Sequence, residues 1–350
     1  MTVSVSIRDI AETLSLSNST VSKALNGYAD VAPATRELVT KTALELGYQP
    51  SASARNLRRG QTDKIGLFLN TSLEYVVDYL SGILPGAVQT AADFNKNLVI
   101  YTIVDKDQDH LLNVCRTGEI DGVILFSTHY EGETIDALLD DRFPFVVLGR
   151  EIPDQRVSYL VPDYYAGSYR ATQHLTDLGH RRIAFTARPE LSTANDAHLK
   201  GHLDALRDAG IPPADELILE TRLEPGSGIK PAQQLMGLRR PPTAVRAFHD
   251  LVAVDMIRVF QDIGLKVPED ISVMGFDGLR AGFMTIPHIS TVAQPFDIIG
   301  GRIMDLIHRR ITSPHAKPLQ EVMPVELIAR GSTAAPPADG RQTAAISRLR

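Results

Sequence analysis

Residues 6–27 read SIRDIAETLSLSNSTVSKALNG. Ile7, Ile10, Ala11 and Leu14 recur at i, i+3, i+4 and i+7, which puts one apolar stripe on a helix. Ser15-Leu16-Ser17 interrupts the stripe, and Ser17 suits an N-cap because its hydroxyl can accept from an orphan amide of the next turn. In the second helix Val21 and Leu25 face inward with Leu16, leaving Asn18, Ser19, Ser22, Lys23 and Asn26 outside. Side chains this short, polar and cationic reach base edges in a major groove and the phosphates beside them. On its own the stretch also fits a plain helical hairpin with a solvated face. A third helix is expected from Pro33, tolerated in a first turn, to Leu46. Its inner face would be Leu38, Val39, Thr42, Ala43 and Leu46, with Gly47 as a C-terminal stop.

The charge balance points the same way. The chain carries a formal net charge of −6, which by itself argues against a nucleic-acid binder. Residues 1–60, however, hold seven Lys or Arg against five Asp or Glu, so this end is +2 and the remainder −8. A mildly basic module on an acidic body fits a protein that meets DNA at one end. With 350 residues and 43% hydrophobic content the chain can bury a large core in two or three domains. The single cysteine, Cys115, excludes a disulfide framework or a cysteine-rich metal site. No apolar run approaches the roughly 18 residues that span a bilayer, and Arg8, Asp9 and Glu12 arrive too early for a signal peptide. A cytoplasmic protein with no membrane contact is expected.

From Lys64 onward short β-rich runs alternate with helical stretches. Strands are expected at 65–69, 98–102, 122–126, 145–148, 183–186, 244–248, 271–275 and 325–328, with helices between them. Such alternation means parallel sheets with helices on both faces. The strands are too many for one comfortable sheet, so two lobes are expected, with a ligand at the carboxyl ends of their strands.

Asp9-Ile10-Ala11, Ser19-Thr20-Val21-Ser22-Lys23-Ala24-Leu25-Asn26, Thr35-Arg36 and Tyr48-Gln49-Pro50 together resemble the head of the lac repressor and galactose repressor family. The resemblance continues through 178–183 (LGHRRI), 267–277 (VPEDISVMGFD) and 291–295 (TVAQP). It implies an all-α helix-turn-helix head over 1–49, Thr20 joining the DNA-facing set, and a hinge helix over 50–60. In that hinge Leu57, with Ala54 one turn before it, would wedge into a minor groove. Residues 61–330 would then be an α/β effector and dimerisation domain, two-lobed like periplasmic sugar-binding proteins. Lobe 1 is placed at about 61–162 and 295–322, and lobe 2 at about 163–292 and 323–330. Residues 331–350, small and polar with paired prolines, read as a disordered tail. Two head positions depart from the family: Ser15 stands where glycine is usual in the turn, and Ala32 where serine caps the third helix.

Positions matching the family's effector pocket are Asn70, Tyr75, Asp78, Arg150, His198, His249 with Asp250, Asp277 and Gln294. Such groups bridge sugar hydroxyls. His198 stands where the family has arginine, and His249-Asp250 where it has Asn-Asp. Imidazoles there predict binding sensitive to pH near 6 to 7. The expected function is a homodimeric transcription factor, a repressor in preference to an activator. Its affinity for a near-palindromic double-stranded operator would be set by a small effector, a carbohydrate first. Alternatives are control by a partner protein or a non-sugar metabolite, and a sugar-binding protein. An α/β enzyme is disfavoured, since G-x-G-x-x-G, P-loop, G-x-S-x-G and H-E-x-x-H patterns are lacking. No cofactor and no metal are expected.

Overall fold

The computed structural model describes residues 5–48, 60–69, 73–102, 108–126, 132–188, 192–222 and 224–337, with the backbone alone at 73–76 and 108. Most of the expected hinge, including Ala54 and Leu57, lies outside the described residues, as do Asn70 and the side chain of Tyr75. The chain divides into two units, Met1–Thr62 and Asp63–Arg350.

The first unit holds three helices, α1 (Ile7–Leu14), α2 (Asn18–Leu25) and α3 (Pro33–Glu45). At the start of α1 the Ser6 hydroxyl accepts from the Asp9 amide, and the Asp9 carboxylate accepts from the Ser6 amide at 2.7 Å. This reciprocal box satisfies two orphan donors. Ser15 ends α1 in the left-handed region at φ 52°, the conformation glycine adopts at no cost. Ser17 caps α2, its Oγ accepting from the Thr20 amide at 3.0 Å. Ala32 gives α3 no side-chain cap. Ile10, Ala11, Val21, Ala24, Val31, Val39 and Ala43 form the core. Leu38 and Leu46, expected inside, are instead 50% and 38% exposed. The inward stripe of α3 runs through Val39, Thr42 and Ala43. Leu38 falls about 100° round the helix from that stripe, and Leu46 already lies past its last turn.

The second unit is built on two parallel sheets. The first has six strands: β1 (Lys64–Leu69), β2 (Asn97–Thr102), β3 (Gly122–Phe126), β4 (Phe145–Leu148), β5 (Tyr159–Pro162) and β11 (Gln320–Met323). Their spatial order is β11-β5-β4-β3-β1-β2, and every pairing is parallel. Helices α4 (Leu73–Asp93) and α11 (Phe296–Thr312) cover one face, burying Leu80, Ile83, Ile299, Ile303 and Ile307 against Ile65, Leu67 and Ile124. α5 (Gln108–Arg116), with the buried Cys115, and α6 (Gly132–Asp140) cover the other.

The second sheet runs β7-β6-β8-β9, from β6 (Ile183–Ala187), β7 (Ile218–Glu220), β8 (Ala244–Arg246) and β9 (Ser272–Met274). α7 (Tyr164–Asp177) and α8 (Thr193–Asp208) lie on one side, α9 (Ile229–Gly237) and α10 (Asp250–Asp262) on the other. An antiparallel pair, β10 (Thr291–Ala293) and β12 (Glu326–Ile328), joins this lobe through bridges from Met274 to Ser290 and Asp277 to Ala293. The chain passes between lobes after β5, after β10 and after β11.

Strands β5, β7, β10 and β11 do not match any expected strand. Each has three or four residues, and β7 and β11 sit at sheet edges, where only one neighbour enforces alternation. The tail is a second correction, since it does not begin at 331. Ser332 is fully buried, its carbonyl accepting from the Val273 amide at 2.8 Å and its hydroxyl from the Ser290 amide at 2.8 Å. The Ala334 carbonyl lies 2.9 Å from His180 Nε2. Small polar composition reads as loop, yet here the backbone itself supplies the pairing, which composition does not encode.

Candidate functional site

On the head, Asn18, Ser19 and Asn26 are exposed, while Ser22 and Lys23 are half-buried. The Thr20 hydroxyl is 2.8 Å from that of Ser17, so Thr20 serves the start of the helix. Asn26 Nδ2 donates to the Ser22 carbonyl, and Lys23 Nζ pairs with Asp30. That pair is 45% and 55% exposed, and such surface pairs contribute about 0–1 kcal/mol. Lys23 can therefore exchange Asp30 for a phosphate at little cost.

The second site lies between the lobes of the larger unit, at the carboxyl ends of its strands. Asp277 follows β9 at φ 99°, a left-handed strain of the kind kept at functional positions. His249 caps α10, its Nδ1 accepting from the Leu251 amide at 3.2 Å. The ring proton is therefore on Nε2, 3.0 Å from Asp277 Oδ2. Gln294, just past β10, donates through Nε2 to Asp277 Oδ1 at 2.5 Å. Its Oε1 accepts from the Tyr79 hydroxyl at 3.1 Å. Tyr79 comes from α4 in the first lobe and is wedged between Phe126 and Phe296, centroids 4.8 Å away on each side. A continuous polar chain, Tyr79–Gln294–Asp277–His249, thus joins the two lobes.

Of the expected pocket residues, His249, Asp277 and Gln294 meet directly. His198, 7% exposed, lies close by on α8, its ring 4.8 Å from Tyr164 and 4.5 Å from Phe276. Arg150 follows β4 half-buried, and burial lowers its pKa. Asp78 is half-buried on α4, its carbonyl accepting from Ser81, while the neighbouring Tyr79 turns inward. Asp250 is a correction. It is fully buried, and its oxygens hold the Thr291 hydroxyl at 2.7 Å and the Leu279 amide at 2.6 Å. It anchors the loop that carries Asp277 and is not offered to a ligand. Its position beside His249 cannot reveal this, because β10 arrives from 41 residues away.

Four further residues shape the site: Tyr79, Tyr164, Arg188 and Arg246. Arg246 is fully buried, and its Nη2 donates to His198 Nδ1 at 2.9 Å. Its only signal in the sequence is a charge inside the apolar run Ala244-Val245-Arg246-Ala247-Phe248. Where the family pattern places a guanidinium at 198, this chain brings one to the same imidazole from β8.

The expected titration of the histidines near neutrality is overturned. Burial, then the charge of Arg188, pushes His249 down to about 3. Burial, then Arg246, holds His198 well below the usual imidazole range. Burial also takes His202 down to about 3. The acids move upward, Asp250 to about 7 through burial, Asp277 to about 8 through burial and then the charge of Asp250.

The sign of the pH dependence follows from proton counting. As pH falls below about 6.5 the unfolded chain protonates these three histidines while the folded chain holds them neutral, so they withdraw stability. Between about 4 and 8 the folded chain holds protons on two aspartates that the unfolded chain has released, so they withdraw stability as pH rises. His174, His180 and His308 are lowered too and Asp255 raised, so lowered histidines outnumber raised acids and stability peaks near pH 6.5. Melting temperature of the second unit measured from pH 4.5 to 8.5 should peak there, and a curve rising steadily to pH 8.5 would contradict these directions.

Among the described residues no cluster of His, Cys, Asp or Glu could hold a metal ion, and no helix is long and apolar enough to cross a membrane. Comparisons with known proteins cover both regions of the chain. Residues 6–51 match the model of bacterial regulatory proteins of the lacI family, and residues 172–333 that of a periplasmic binding protein-like domain. The chain is 32% identical to catabolite control protein A of Priestia megaterium over 309 residues, 87% of this chain and 92% of that protein. It is 31% identical to the HTH-type transcriptional regulator CelR of Thermobifida fusca, covering 92% and 96%. A solved CelR–cellobiose complex superposes with a TM-score of 0.73 at 29% identity, over 94% of this chain and 99% of that one. The lac repressor dimer bound to operator and the anti-inducer ONPF superposes at 0.82 and 24% identity, over 95% and 100%, a likeness of fold.

Proposed function

The chain belongs to the lacI family of bacterial regulatory proteins, DNA-binding transcriptional regulators, and from that premise we propose that it is a repressor whose effector is a carbohydrate held between the two lobes. The observation that carries this reading is the polar chain from Tyr79 through Gln294 and Asp277 to His249. It places planar amide, carboxylate and imidazole groups at the lobe junction, the groups that bridge adjacent sugar hydroxyls. The CelR complex with cellobiose supports the same class of ligand. In this reading α2 reads bases through Asn18, Ser19, Ser22, Lys23 and Asn26. One head covers a few base pairs, so a homodimer on a near-palindromic site supplies the rest. Residues 50–60 act as the hinge, with Leu57 as the minor-groove wedge and Ala54 beside it. Occupancy of the cleft shifts operator affinity only as far as the effector binds the two lobe arrangements unequally.

The test is a thermal-shift screen of the full chain against mono- and oligosaccharides beside nucleotides and amino acids. A ligand binding only the folded state at 100 times its Kd adds about 2.7 kcal/mol, so a sugar hit raises the melting temperature clearly. Added to an operator-binding assay, that sugar should change the affinity. A shift produced by nucleotides or amino acids and by no sugar would refute the reading.

A further inference from the structure

Arg246 is the largest fully buried side chain among the described residues. Its guanidinium lies between the rings of Phe185 and Phe276, 5.0 Å from each centroid. Nη2 donates to His198. Nε and Nη1 are sealed from solvent and have no hydrogen-bond partner. Among the described residues no carboxylate is in ion-pair contact with it, Asp277 and Asp250 acting on it only through their fields. Buried charges are ordinarily paired, and an unpaired one is costly. A guanidinium retained at the end of β8 under these conditions calls for an anion in contact with it, which the described residues do not supply.

His198 transmits that demand to the cleft. A guanidinium can only donate, so Nδ1 of His198 must accept and the ring proton must sit on Nε2. Nε2 has no partner among the described residues and is not among the sealed polar atoms. The ring is held by Tyr164 and by the edge of Phe276. Tyr164 in turn carries its hydroxyl to the end of β4 in the first lobe, 3.7 Å from where a side chain at Gly149 would begin. The imidazole therefore presents a single fixed N–H at the lobe junction with a cation directly behind it. The field of Arg188 reaches the same ring, lowering its pKa beside that of Arg246. The nearby acids are already engaged. Both oxygens of Asp277 accept from Gln294 and His249, and both of Asp250 from Thr291 and Leu279. A neutral hydroxyl on His198 would accept one hydrogen bond, but it leaves the buried cation uncompensated. A carboxylate meets both requirements, since it only accepts and it carries the missing charge.

We propose that the effector is a sugar acid whose carboxylate docks on Nε2–H of His198, with Arg246 behind it as a positioning residue and counter-charge. This deepens the carbohydrate reading above and rests on it. The experiment is titration calorimetry of the full chain with matched pairs, glucose against glucuronate and gluconate and galactose against galacturonate, with glucose 6-phosphate alongside. One acid should bind at least about tenfold more tightly than its neutral partner, since a charge-assisted hydrogen bond is about twice as strong as a neutral one. Arg246→Met, which keeps the volume, should erase that preference, lowering affinity for the acid far more than for the neutral sugar, and Arg246→Lys should restore most of it. If Arg246→Met does not fold, His198→Leu should erase the preference instead. A neutral sugar binding as well as its acid, or a preference untouched in Arg246→Met, overturns the sugar-acid assignment and leaves the carbohydrate reading standing. Glucose 6-phosphate binding where the carboxylates do not overturns the carboxylate. Binding by no sugar of either kind removes the carbohydrate reading and this assignment with it.

Discussion

Asp277→Asn should weaken effector binding about 100-fold while the protein still folds. Oδ1 of Asp277 accepts from Gln294 Nε2 and Oδ2 from His249 Nε2. An asparagine replaces one acceptor with an NH2 group, so one donor faces another and a buried N–H loses its partner. Each such loss costs about 1–3 kcal/mol, and the chain from Tyr79 to His249 is cut at its centre. Asparagine, like aspartate, tolerates the left-handed backbone at φ 99° better than most side chains, so strain is not the source of the effect. Calorimetry with the sugar identified by thermal shift reads it directly, beside a melting curve. An affinity within threefold of the parent would show that Asp277 only shapes the loop.

Gly300→Ala should be strongly destabilising to the first lobe. Helices α4 and α11 cross with their backbones almost touching. A Cβ on Gly300 would lie 2.0 Å from the Ile83 carbonyl oxygen, and one on Gly86 would lie 2.0 Å from that of Asp297. These obstacles are main chain, so no side chain can swing aside, and the helices must separate. Separation loosens Ile83, Phe296, Ile299 and Ile303 against β1 and β3. Overpacking of this kind costs about 3 kcal/mol or more. For a unit of this size that lowers the melting temperature by roughly 6–12 °C. Thermal unfolding followed by circular dichroism checks it. A change under about 2 °C would mean that the crossing yields easily.

Much of this protein is legible in its sequence. The helices of the head, the Ser17 cap and the alternation of strand and helix are set by side chains within a few residues of one another. Their signals are periodicity and caps, which are local. The departures at Ser15 and Ala32 are legible for the same reason, and the fold has a left-handed residue at one and no side-chain cap at the other. His249, Asp277 and Gln294 stand out because each lies at the end of a recognisable strand motif.

Tertiary structure decides the rest, because it depends on what approaches from far along the chain. Asp250 and Asp277 are both aspartates just past apolar strands. Asp250 is tied to Thr291 and Leu279, while Asp277 is tied to His249 and to Gln294, which bonds on to Tyr79 of the other lobe. Neighbouring residues cannot tell a carboxylate whose partners come from another strand from one that faces a cleft. The histidines have the sequence of neutral-pH switches, and burial with two arginines fixes them uncharged. Gly331–Pro337 has the composition of a loose tail, and Val273, Ser290 and His180 supply its partners. Arg246 is conspicuous in a β-strand, but its meaning lies in contacts with Phe185, His198 and Phe276, each tens of residues away. Local sequence determined which elements form and where they end. Desolvation and long-range pairing, which no local pattern encodes, determined which of the polar groups on those elements remain available to a ligand.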